Sequence, residues 1–194
     1  MAQLHEFIVK PSLFASPKKL SIHPAFIEFN NINFPKLEIA ELRYGVKAIN
    51  GYRFVIGRTY CIDIRNADGK IIKLRWSSLY SVRKKLLNQK YAAIVNALFE
   101  NYFNEIITNF IQSFFDRASF ILLGNTFTQE GIILSKTDEV IDWNDVGTRD
   151  FRNYFLIFSK SQSDKYSSFY YLADWNTIVL KTVTRYILES KGMV

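Results

Sequence analysis

One cysteine, two histidines and four prolines in 194 residues set the first limits on this chain. Cys61 has no partner for an internal disulfide, which suits a reducing compartment and makes the cytoplasm the expected location. His5 and His23 lack ligand spacing to each other or to Cys61, so neither a metal site nor a cofactor is expected. Pro11, Pro17, Pro24 and Pro35 all fall in the first 35 residues. Long helices are excluded there, and short segments joined by turns are expected. No apolar run reaches the roughly 18–20 residues of a membrane span. Residues 1–10 lack the basic stretch and apolar block of a secretory signal. A Gly-rich phosphate loop, a Gly-x-Ser-x-Gly elbow and a His-Glu-x-x-His pair are missing too. Catalysis is therefore not expected.

Glycine and proline are also absent between Gly69 and Gly124, and nothing there breaks a helix. Within that stretch apolar pairs recur every four residues: Ile94-Val95, Leu98-Phe99, Tyr102-Phe103, Ile106-Ile107, Phe110-Ile111 and Phe114-Phe115. A helix turns in about 3.6 residues, so the apolar face drifts by roughly 40° per pair and roughly 200° over five steps. One flat core cannot use such a face. The spacing predicts a helix from Leu79 to Asp116, about 55 Å long, capped by Ser77, Ser78 or Ser81. Leu87, Tyr91, Leu98 and Tyr102 form its first stripe. Phe110, Ile111, Phe114 and Phe115 form a second, to be covered by the second half of the chain, through Phe120, Leu122 and Trp143, or by another subunit. From Asn96 to Ser113 the polar positions are Asn, Thr, Gln, Ser and two Glu. This is not the Lys/Arg-lined face of a helix that binds anionic membranes.

What the chain has in quantity is apolar and aromatic: 48% hydrophobic residues, with 17 Phe and 11 Tyr, against 22% charged. That supports a real core and favours sheet. The net charge of +7 is uneven: residues 1–91 carry 16 Lys and Arg against 6 acids, and residues 92–194 carry 9 against 12. A basic first half and a mildly acidic second half suggest two units, here placed at residues 1–117 and 118–194.

Strands are expected at Leu4–Val9, Leu20–His23, Phe26–Asn30, Leu37–Tyr44 (where Glu38-Ile39-Ala40-Glu41-Leu42 would also suit a helix), Tyr52–Ile56 with a bend or bulge at Gly57, Tyr60–Arg65 and Ile72–Trp76. Keeping the apolar faces together pairs Ile64 with Ile72, Ile62 with Leu74 and Tyr60 with Trp76. This requires a three-residue loop, Ala67-Asp68-Gly69, with Gly69 left-handed. Beyond Arg117 about five strands are expected, at Ser119–Leu123, Asn125–Leu134, Glu139–Trp143, Arg152–Phe158 and Phe169–Leu172. A helix from Trp175 to Glu189 follows, capped by Asp174, with Trp175, Ile178, Val179, Thr182, Val183, Tyr186 and Ile187 facing inward. The order of short strands then a helix occurs twice, which points to internal duplication.

A meander of about seven antiparallel strands closed by one C-terminal helix resembles the pleckstrin-homology-like (PH-like) superfold. Phe127-Thr-Gln-Glu-Gly131-Ile132 followed by Val140-Ile-Asp-Trp143-Asn-Asp-Val146 is similar to bacterial members of that group. The resemblance implies an α+β, mainly antiparallel β fold, made of two PH-like meanders, each closed by a C-terminal helix, joined by the long central helix. It also implies binding rather than catalysis, as a scaffolding protein with a protein partner or self-association. The alternative is an anion binder, for nucleic acid or anionic lipid. It would use Lys18, Lys19, Lys73, Arg75, Arg83, Lys84 and Lys85, interleaved with Trp76 and Tyr80. Asp138, Glu139, Asp142 and Asp145 cluster between two strands, where acid–base or cation chemistry competes with a plain solvated turn. Tyr166, Tyr170 and Tyr171 offer stacking surfaces or ordinary strand positions.

Overall fold

The computed structural model describes residues 3–11, 15–135 and 139–193. The fold is α+β, with antiparallel sheets, a long helix in mid-chain and a helix near the C-terminus. Contacts divide the chain between Asn104 and Glu105, within the mid-chain helix and not after Arg117. Residues 105–117 go with the second unit because their aromatic side chains pack on its strands.

The first unit opens with a four-stranded meander: β1 (His5–Val9), β2 (Lys18–His23), β3 (Phe26–Phe29) and β4 (Ile32–Pro35). A 3-10 turn, Lys36–Glu38, leads into a three-stranded meander: β5 (Ile39–Asn50), β6 (Val55–Asn66) and β7 (Ile71–Leu79). The β6–β7 register pairs Ile64 with Ile72, Ile62 with Leu74 and Tyr60 with Trp76. Gly69 takes φ 82° in the three-residue loop, as the apolar pattern requires. One expectation needs correction. Tyr52–Ile56 is not a separate strand, because residues 51–54 form the β5–β6 turn, closed by Gly51 N–H donating to Phe54 O at 2.8 Å. Gly57 lies inside β6 beside a register shift, since Ile49 pairs with Gly57 and Asn50 with Val55; a Cβ there would also meet Ser78 O at 2.5 Å. Strand β4, short and bearing one buried side chain, Phe34, carries too little pattern to be read from sequence.

Helix α1 (Lys84–Leu98) closes the unit. It starts later than expected, since Ser77 and Ser78 belong to β7 and Arg83, at φ 56°, precedes it with no side-chain cap. Ile94, Val95, Ala97 and Leu98 are buried. Tyr91 packs 5.5 Å from the Tyr60 ring and 6.1 Å from Trp76. A π turn, Phe99–Phe103, follows without a break and buries three residues in a row, Asn101, Tyr102 and Phe103. A turn closed i→i+5 is wider than an α turn, so it absorbs part of the drift of the four-residue repeat. The Tyr102 hydroxyl lies 2.7 Å from the carbonyl oxygens of both His23 and Phe26 and donates into the β2–β3 turn.

The second unit begins with α2 (Asn104–Phe115 in full) and continues through β8 (Phe120–Leu122), β9 (Asn125–Phe127), β10 (Gly131–Ile133) and β11 (Val140–Asp142). A 3-10 turn, Trp143–Asp145, precedes β12 (Val146–Asp150), β13 (Tyr154–Ser159) and β14 (Tyr166–Tyr170), and α3 (Thr177–Ser190) closes the unit. Among the described residues of this unit seven strands are present, not about five. The segment 125–134 turns back at Thr128, whose hydroxyl and Gly131 N–H lie 3.1 Å apart. Strand β12 hides Gly147 under the Phe158 ring, where a Cβ would sit 2.5 Å away. Helix α3 follows Asn176 (φ 58°) with no side-chain cap. Asp174 instead accepts from Tyr170 N–H at 2.7 Å. The buried stripe is Thr177, Val179, Leu180, Val183, Thr184, Ile187 and Leu188. It is rotated from the expected one, and Tyr186 is exposed.

Candidate functional site

The most distinctive surface of the first unit lies where the β5–β6 turn meets the passage from β7 into α1. Tyr80 N–H donates to Ile56 O at 2.8 Å, so the end of β7 stays paired with the start of β6. Next, Tyr80, Ser81 and Arg83 take φ of 47°, 61° and 56°, a left-handed region that side chains other than Gly adopt at a cost. The kink holds because Val82 N–H donates to Leu79 O at 2.9 Å and Ser78 Oγ donates to Val82 O at 2.7 Å. Ser78 thus shapes this passage and does not cap the helix.

A cleft of 260 Å³ opens here, lined by Phe54, Ile56, Arg58, Ser78, Tyr80, Ser81, Lys84 and their neighbours. That is smaller than the roughly 300–1,000 Å³ of drug-sized ligand sites and suits a compact polar group. Its lining includes exposed aromatic residues, Tyr80 at 72% and Phe54 at 66%, and Tyr52, on the same turn as Phe54, is 93% exposed. Scattered exposed apolar residues are ordinary on a surface, but a contiguous group on two adjoining turns marks an interaction site.

The residues expected to form an anion patch are dispersed among different roles. Lys84 lines the cleft, with Arg83 and Lys85 flanking it in sequence. Arg75 is committed elsewhere: with Arg43 it brackets the buried Asp63, at 2.6 and 3.0 Å, and it donates to Leu74 O at 2.7 Å. Lys19 pairs with Glu6 at 2.6 Å on the four-stranded sheet. Lys18 is on β2, and Lys73 is exposed on β7. Trp76 is buried and stacked 5.7 Å from Tyr60, so it offers no surface. Sequence reasoning missed Tyr52, Phe54, Arg58 and Ser81. The signal that could have found them is charge: no Asp or Glu occurs between Glu41 and Asp63, nor between Asp68 and Glu100.

In the second unit Phe114 is buried and meets Trp143 edge-on at 5.7 Å, while Phe110 lies 5.1 Å from Phe120. Ile111 is half-buried, and Phe115 is 50% exposed beside Tyr186. Of the acidic cluster, Asp138 lies outside the described residues. Glu139 pairs with Lys165. Asp142 accepts from Asn144 N–H at 2.8 Å. Asp145 accepts from the Ser159 and Ser161 hydroxyls, and these bonds hold its carboxyl below the usual range. These carboxylates shape turns. Among the described residues no three His, Cys, Asp or Glu come together as a metal site. His5 lies 3.6 Å from Glu100, and His23 accepts from Ala25 N–H at 3.1 Å. Tyr166 and Tyr170 are half-exposed strand residues. No helix among the described residues is long and apolar enough to cross a membrane.

Comparison of the chain with protein-family models, with curated proteins and with solved structures finds no match.

Proposed function

We propose that the chain is a non-enzymatic binding protein of the cytoplasm, made of two PH-like units related by duplication, with its ligand-facing surface on the first unit. The architectural half of this reading is supported by element order. Each unit runs four antiparallel strands, a 3-10 turn, three antiparallel strands, a left-handed residue and a helix. The likeness reaches backbone angles. The residue before the 3-10 turn stands at φ −54°, ψ 145° in the first unit (Pro35) and φ −55°, ψ 144° in the second (Asp142). The residue before the closing helix stands at φ 56°, ψ 18° (Arg83) and φ 58°, ψ 18° (Asn176).

A fold of this kind hosts many roles, so function has to rest on the site. The observation that carries the binding role is the exposed aromatic rim of the cleft. A photo-crosslinking residue placed at Tyr52 in cells tests it, with Leu37, 96% exposed and not among the cleft-lining residues, as the comparison position. A binding protein gives an adduct from position 52 that position 37 does not give. Equal or absent adducts from both positions overturn the reading.

A further inference from the structure

We propose that the outer face of the β12–β14 sheet, in the second unit, holds single-stranded nucleic acid, with unpaired bases stacked on its aromatic rings. This surface is separate from the cleft and does not depend on it.

Register and burial define the face. Phe155, Ile157, Ser167 and Phe169 are buried on one side of the sheet, where Arg185 of α3 lies 5.9 Å over the Phe155 ring. On the opposite side, cross-strand pairing puts Tyr154 beside Tyr170, Leu156 between Arg149 and Ser168, and Phe158 beside Tyr166. Tyr166 and Tyr170 are each 50% exposed. Phe151, the residue after β12, stacks 4.6 Å from Tyr154, which meets Tyr170 at 5.4 Å. At the other end the Phe158 ring leans over Gly147, with the Arg149 guanidinium 6.0 Å from its centre. The two groups of rings stand roughly 13 Å apart along β13, four residues at about 3.3 Å each, with Arg149 paired midway between them.

The fold does not require these rings. The matching outward positions of β6 and β7 in the first unit pair Thr59 with Ser77, Cys61 with Arg75 and Asp63 with Lys73, and none is aromatic. Chemistry then names the occupant. Every base presents a flat face to Tyr or Phe, and Arg149 and Arg152, both exposed, suit the phosphates between bases. None of the paired residues on this face is acidic. A bilayer calls for aliphatic side chains, and Leu156 is the one aliphatic residue among the face's paired positions. A sugar stacks on the same rings but needs amides or carboxylates for its hydroxyls, and these positions offer neither. A protein interface has an apolar, packed centre, whereas Arg149 and Ser168 occupy the middle here. Paired bases keep their faces inside the duplex stack, so the partner is single-stranded. The chain's net charge of +7 draws a polyanion from a distance.

The test is fluorescence anisotropy of a labelled oligouridylate of about ten nucleotides, within the roughly 4–16 that single-strand-binding sites span, titrated with the full chain. Saturable binding that weakens with added salt is expected. Tyr166→Thr with Tyr170→Thr keeps strand-forming side chains. It should weaken binding by on the order of tenfold or more, while leaving any binding of a duplex of the same length unchanged. Arg149→Gln with Arg152→Gln should make the fall of log affinity with log salt shallower by roughly 1. Both pairs lie at solvent-facing positions and should keep the wild-type melting temperature. Arg149→Gln alone repeats the measurement should either pair fold poorly. No binding of the oligouridylate at low salt, or binding untouched by the folded variants, overturns the proposal. An equal loss for duplex and single strand in the tyrosine variant overturns it too, since stacking of free bases would not be the cause. So does a photo-crosslinking residue at Tyr170 that captures a protein and no nucleic acid in cells.

Discussion

A methyl group added at Gly131 would sit 2.1 Å from the carbonyl oxygen of Ile141 on the neighbouring strand. Backbone cannot yield as a flexible side chain can, so Gly131→Ala should push β10 off β11. The expected loss is about 1–3 kcal/mol, seen as a lower urea midpoint at unchanged slope. Asp150 makes a different kind of contribution. Partial burial pushes its carboxyl up, but Lys181 and the Tyr171 hydroxyl, with Arg185 nearby, outweigh that and hold it below the usual range. A lowered folded value means the stabilisation is complete above the unfolded pKa of about 3.9 and fades as pH falls through the folded value. Asp150→Asn should therefore cost stability at neutral pH, by under about 1 kcal/mol because the group is partly solvated. Its acid unfolding curve should be flatter than wild type below about pH 4. A variant that loses stability in parallel with wild type down to the acid limit would show that Asp150 is not the group titrating.

Among the elements, those with strong periodicity were legible in the sequence and those defined by a partner were not. The β6–β7 hairpin could be read residue by residue because a slip of one would bring Lys73 opposite Ile62, turning a polar side chain to the core. The drifting face of the mid-chain helix was legible for the same reason. What stayed hidden were β4, the turn at Thr128 and β12. In each, backbone pairing with a neighbouring strand or the hydrogen bonds between Thr128 and Gly131 decide the conformation, and no alternation of three or four residues records it. The starts of α1 and α3 were hidden too, because a left-handed Arg83 and Asn176 replace the serine and aspartate caps that local chemistry favours. The rim of the cleft was missed because pattern assigns Tyr52 and Phe54 to a strand and Tyr80 to the start of the long helix. The π turn makes a prediction of its own. Tyr102→Phe removes the hydroxyl that serves the His23 and Phe26 carbonyls and should cost about 1–2 kcal/mol. Deleting Glu100 should cost more, since restoring an α turn swings Tyr102 by about 100° away from both carbonyls. If the deletion is the milder of the two by thermal melting, the π turn does not hold Tyr102 in place.

At the scale of the whole molecule, the division at Asn104 leaves the first unit with 16 Lys and Arg against 7 acids and the second with 9 against 11. The basic character of the chain thus belongs to one unit, the one that bears the cleft. Phe114 and Trp143 lie in the other. Phe114→Ala should cost about 3–5 kcal/mol there and speed amide exchange within residues 105–193 while leaving β5–β7 protected. The chain already contains the means to watch the first unit alone. Cys61 is its single thiol, buried on β6, with burial pushing its pKa up, so a thiol reagent can reach it only when that sheet opens. Labelling of the unmodified protein is therefore a clock for one unit, with no second thiol to confuse the count and no probe to engineer. In Phe114→Ala that clock should keep wild-type time.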